Sequence, residues 1–60
     1  MNTERYTTGD KKITIIAEYI APEVVKLYAE MISLRIMFKD AIISQHQLVN
    51  LIERGDLIKI

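Results

Sequence analysis

Pro22-Glu23-Val24-Val25-Lys26-Leu27-Tyr28-Ala29-Glu30-Met31-Ile32-Ser33-Leu34-Arg35-Ile36-Met37-Phe38-Lys39-Asp40-Ala41 is the stretch on which the architecture turns. Proline suits the first position of a helix, where its missing donor costs nothing, and it pushes Ala21 out of helical geometry. Glu23 then stands where a helix dipole favours an acid. No glycine or second proline interrupts the run, and Leu, Met, Ala, Lys and Glu are good helix formers, so the stretch predicts a helix over about 22–41. Projected at about 100° per residue, Val24, Leu27, Tyr28, Met31, Leu34 and Phe38 share one side, with Val25, Ala29, Ile32 and Ile36 continuing around it. Glu23, Lys26, Glu30 and Ser33 define the narrow polar remainder, and Arg35 and Lys39 interrupt the apolar arc.

Downstream, Ser44 followed three residues later by Gln47 forms a capping box, and Ile43 and Leu48 flank it as a hydrophobic staple. Together with Gly55, suited to the left-handed position that ends a helix, this predicts a second helix over about 45–54. Its apolar residues Leu48, Val49, Leu51 and Ile52 make an ordinary one-sided pattern. The few residues between the two helices imply an antiparallel pair. Leu27, Met31, Leu34 and Phe38 also follow coiled-coil spacing, but one continuous helix would need neither the capping box nor the staple.

Upstream, Lys12 to Ile20 is ambiguous. Ile13, Ile15, Ala17 and Tyr19 alternate as in a strand, whereas Ile13, Ile16, Ala17 and Ile20 make a helical stripe with Asp10 as N-cap; the β-branched run tilts the reading towards an extended segment. Residues 1–10 are polar, with Thr7, Thr8, Gly9 and Asp10 together, and read as a mobile arm ahead of one small helical domain over 11–60. The tail from Asp56 to Ile60 reads either as a strand pairing with Ile13 to Tyr19 or as a frayed end. The expected fold class is therefore mainly α: a helical hairpin with an ambiguous N-terminal strand or helix and a short C-terminal tail.

Sixty residues hide only about 60% of the surface that an unfolded chain exposes, so outside help with stability is expected. There is no cysteine, which removes disulfides and thiolate metal sites and fits a cytoplasmic location. His46 is the only histidine, an uncommon basis for a metal site, and no metal or cofactor is expected. Eight basic and eight acidic residues are interspersed, so a general electrostatic grip on nucleic acid or acidic lipid is not expected. No apolar run approaches the roughly 20 residues that span a bilayer, and Met1 to Arg5 lacks a signal-peptide pattern.

Half of the residues are apolar, and a second helix alone does not cover so wide an arc on the first. Leaving several such side chains wet would forfeit several kcal/mol at about 25 cal/mol per Å², which is comparable with the stability of a small domain. Either the flanking segments fold back over the arc, or a partner or second copy covers it. The expected interaction residues are Val24, Leu27, Tyr28, Met31, Ile32, Leu34, Arg35, Ile36 and Phe38, with Tyr28 and Phe38 as anchors because aromatic side chains dominate interface energies. Met31 and Met37 are expected to fill core gaps, although adaptable thioethers also suit a binding face. No nucleophile–base pair, acid pair or phosphate-cradling glycine loop is present, so a non-enzymatic role without a small-molecule substrate is expected.

Two family resemblances extend this reading. Leu34 to Gly55, with Ala41-Ile42-Ile43-Ser44 followed by Gln47-Leu48, resembles the helical hairpins called short C-terminal domains, or SHOCT-like domains. Ala41 replaces their usual turn glycine, and Gln47-Leu48 replaces an acid–aromatic pair. Similar small proteins, with a tyrosine-bearing first helix comparable to Leu27-Tyr28, accompany mobile-element genes. The resemblance implies an accessory protein of a phage or other mobile element, such as a recombination directionality factor that binds a serine recombinase. Ile13 to Tyr19 followed by Pro22 to Leu27 resembles instead the strand, proline and first helix of ribbon-helix-helix repressors, which implies a dimer whose paired strands bind DNA. Its strand here carries only Lys12 and Glu18 as charged readers. A purely structural homo-oligomer needs only the apolar arc.

Overall fold

The computed structural model describes residues 2–60. It overturns the helical hairpin. Five strands, β1 (Thr3–Thr8), β2 (Thr14–Ala21), β3 (Val24–Ala29), β4 (Ala41–Ser44) and β5 (Leu57–Lys59), form one antiparallel sheet in the order β4-β3-β2-β1-β5. Among the described residues a single α-helix, α1 (Gln45–Glu53), connects the two edge strands. Among the described residues no helix is long and apolar enough to cross a membrane.

The first half of the expected long helix is β3, and the physical reason is visible in its side chains. Val25, Leu27 and Ala29 turn to one face while Val24, Lys26 and Tyr28 turn to the other, the period-two pattern of a strand, and Val25 and Ala29 are fully buried. Pro22 starts a two-residue hairpin turn, not a helix. Its fixed φ serves the first turn position as well as it serves a helix start, so the proline does not discriminate between the two. Turns of that hand splay flanking strands, and β2 carries an irregularity between Tyr19 and Ala21 that restores the pairing with Val24 and Val25. Pro22 to Leu27, the segment resembling a ribbon-helix-helix proline and first helix, is thus a turn and a strand. The second half of the expected helix is an excursion from Glu30 to Asp40 that contains one 3-10 turn, Ile32–Leu34.

Residues 12–20 resolve in favour of the extended alternative, as the body of β2. The polar arm is corrected: Thr3–Thr8 form β1, paired on both sides, while Met1 lies outside the described residues. Alternating Glu4, Tyr6 and Thr8 put Tyr6 into the core, where it is buried. The tail forms β5 and pairs with β1, not with Ile13 to Tyr19.

The β1–β2 connection turns on Thr8 and Asp10. Thr8 N donates to Ile13 O (2.9 Å) and Lys11 N donates to Thr8 O (2.7 Å), the Asp10 carboxylate accepts from the Thr8 hydroxyl and the Lys12 amide, and Lys11 takes a left-handed φ of 62°.

The second helix has its expected start. Ser44 Oγ accepts from Gln47 N at 3.1 Å while Gln47 Oε1 accepts from Ser44 N at 3.0 Å, so Ser44 is at once the last residue of β4 and the N-cap of α1. At the other end Gly55 has φ 82°, Gly55 N donates to Ile52 O and Asp56 N donates to Leu51 O, which together make a Schellman close. The helix buries Leu48 against Tyr6, Ala17, Val25 and Leu57, with Ile15, Tyr19, Leu27, Ile43 and Leu51 packed around them. Alternation places this whole set on one face of the sheet; the opposite face has no layer over it among the described residues.

Candidate functional site

Because α1 leaves the end of β4 at one edge and returns to the start of β5 at the other, it lies diagonally over its face and leaves two corners less covered. The two corners are filled differently.

At the first, Glu4 accepts hydrogen bonds from the Tyr6 hydroxyl (3.0 Å) and the Tyr19 hydroxyl (3.2 Å) on Oε1 and from Lys59 Nζ (2.8 Å) on Oε2. Lys59 Nζ also sits 5.1 Å from the Tyr6 ring centroid. The Lys59 hydrogen bond, with those of the two tyrosines, holds the Glu4 carboxyl below its ordinary value against the opposing effect of burial. Burial, reinforced by the same carboxylate, pushes the Tyr6 hydroxyl up to about 12 and that of Tyr19 upward. The Glu4 carboxylate thus joins Tyr6, Tyr19 and Lys59 in one polar cluster, and a polar hollow lined by Asn2, Thr3, Glu4 and Tyr19 opens beside it.

The second corner is apolar. A cavity of about 260 Å³ lies there between the sheet and Leu51, walled by Ile15, Leu27 and Leu57, with Phe38 and Lys39 on its rim. Phe38 belongs to the Glu30–Asp40 excursion, which polar contacts anchor along its length. Glu30 donates its amide to Thr14 O (2.9 Å) and pairs with Arg5 (2.8 Å); Asp40 pairs with Lys26 (3.5 Å). In the middle, Arg35 Nε donates to Ala29 O at 2.9 Å, and its guanidinium lies 4.7 Å from the Tyr28 ring centroid. Exposed ion pairs contribute little to stability individually, but here they fix the entry and exit of an eleven-residue loop.

What this anchored loop displays is apolar. Met31 is 63% exposed, Ile32 76%, Ile36 84%, Met37 75% and Phe38 39%. The expected interaction residues therefore divide into three groups. Met31, Ile32, Ile36 and Phe38 are all exposed along the loop, which forms a crest; Leu34 is half-buried within it, and Arg35 anchors it. Val24 and Tyr28 lie half-buried on the uncovered face of the sheet, while Leu27 packs into the core on the opposite face, so no single helical stripe joins the nine. Met31 and Met37, expected as core fillers, are both exposed. The cavity walls contributed by Leu51 and Leu57 were outside the expected set, and only the sheet topology brings them beside Phe38.

His46 stands exposed in the first turn of α1, where it lines a shallow hollow with Glu23 and Ser44. Ser44 Oγ is occupied by the cap, and among the described residues no hydrogen bond links His46 to either neighbour. That grouping is a helix start and not a nucleophile oriented by a base. No group of three or more metal-ligating side chains occurs among the described residues. Comparison with protein-family models, with curated proteins and with solved structures finds no match to this chain.

Proposed function

We propose that this protein is a non-enzymatic binding module whose Met31–Phe38 crest docks onto a protein surface. The observation that carries this reading is the contrast within one loop. Glu30, Arg35 and Asp40 tie the loop to the sheet, yet five large apolar side chains on it face water. Monomeric domains rarely expose a contiguous apolar patch beyond about 300–600 Å², and larger patches mark interaction sites. Prior anchoring also lowers the ordering cost of association, because the loop has less freedom left to lose.

The SHOCT-like resemblance implies a serine recombinase as partner through a helical hairpin. Its segment is here a 3-10 turn, a strand and one helix, so the partner's identity rests on capture. A photoreactive residue placed at Ile36 in cells should cross-link to protein well above the level given by the same residue at Lys11, an exposed position on the β1–β2 turn. Equal yields at the two positions would refute a docking role for the crest.

A further inference from the structure

The crest and the apolar cavity adjoin, since Phe38 belongs to both. The exposed Ile36 and Met37 immediately precede Phe38 in the chain, and Phe38 lines a recess walled by Ile15, Leu27, Leu51 and Leu57. A knob next to a matching hollow is what a two-fold axis requires, because the rotation lays each knob over the other copy's hollow in a closed, self-complementary contact. We propose that the occupant of this surface is a second copy of the same chain, with Ile36 and Met37 of one protomer filling the cavity of its partner.

Three further observations support that occupant over an unrelated one. The five residues Met31, Ile32, Ile36, Met37 and Phe38, exposed by 39–84%, present on the order of 600 Å². That approaches the roughly 800 Å² that each partner gives to a stable complex. The chain carries no net charge, so two copies meet without overall repulsion. Finally, Met37 has an unbranched, adaptable side chain, suited to filling an irregular recess of about 260 Å³.

This inference rests on the docking role of the crest but can fail separately from it. Sedimentation of the purified full chain should show a dimer. Met37→Glu would bring a charge into the partner's cavity and should weaken the dimer roughly a hundredfold, with the far-UV circular dichroism unchanged because Met37 is exposed. Ala41→Leu should do the same from the other side, by filling the recess that Ala41 also lines. A chain that stays monomeric at millimolar concentration, or a dimer that survives both substitutions, would overturn the proposal. If Ile36 cross-links in cells only to a different protein while the purified chain is monomeric, the second copy is refuted and the docking role stands.

Discussion

Gly9 and Gly55 meet so closely that a Cβ on Gly9 would stand 2.9 Å from the Gly55 carbonyl oxygen. The contact joins the β1–β2 turn to the close of α1, and Gly9 N donates to Asp56 O at 3.1 Å beside it. Gly9→Ala should therefore destabilise the protein by about 1–3 kcal/mol, because the atom in the way is backbone and cannot swing aside. Gly55→Ala has open space but a φ of 82°, so its cost should be about 1–2 kcal/mol, from backbone conformation alone. Denaturant midpoints of the two variants test this. The Gly9 account fails if its alanine variant matches the wild type.

The capping box has a different role, since it lets β4 run into α1 without an intervening loop. Ser44→Ala removes the side-chain acceptor for Gln47 N and should cost about 1 kcal/mol. Ser44→Asp keeps an acceptor and should recover most of that loss. A midpoint for Ser44→Ala within error of wild type would show the cap to be dispensable.

Stability should depend on pH at both extremes through Glu4 and Tyr6. The Glu4 carboxyl is held below its ordinary 4.5, so the stability it contributes is complete above that value and is lost as pH falls through its lower folded value. Glu4→Gln should flatten this acid limb. The Tyr6 hydroxyl moves the opposite way, from 10.0 to about 12, so its contribution is complete below pH 10 and lost as pH rises towards 12. The shift corresponds to about 3 kcal/mol, and Tyr6→Phe should remove that alkaline loss while keeping the buried ring. Denaturation series at acid and alkaline pH distinguish these outcomes, and an unchanged alkaline limb in Tyr6→Phe would remove Tyr6 from the account.

Local capping chemistry was legible in the sequence, and long-range pairing was not. Ser44, Gln47 and Gly55 act through hydrogen bonds within a few residues, so their signals survive any tertiary context. Val24 to Ala29 carries the alternation of a strand within a run of good helix formers, and the neighbouring β2 and β4 determine which pattern prevails. Polar Thr3–Thr8 looks like an arm because only Tyr6 among its residues enters the core; its backbone pairing with β2 and β5 leaves little mark on composition. The apolar residues of Met31 to Phe38 read in the sequence as part of one helical face, whereas they are exposed because Glu30 to Asp40 leaves the sheet altogether.

Core and crest should respond oppositely to substitution. Leu48 is the largest side chain fully enclosed between helix and sheet, so Leu48→Ala should cost about 2–5 kcal/mol by opening a cavity that its neighbours only partly close. Ile32 is 76% exposed, and Ile32→Glu should leave folding stability within about 0.5 kcal/mol of wild type while abolishing association through the crest. A long amphipathic helix over 22–41 would instead place Ile32 on its apolar arc, where an unpaired glutamate costs several kcal/mol. A denaturation midpoint and a sedimentation or cross-linking measurement on this one variant separate the two architectures. Loss of folding would return Ile32 to the core and remove the crest as a docking surface.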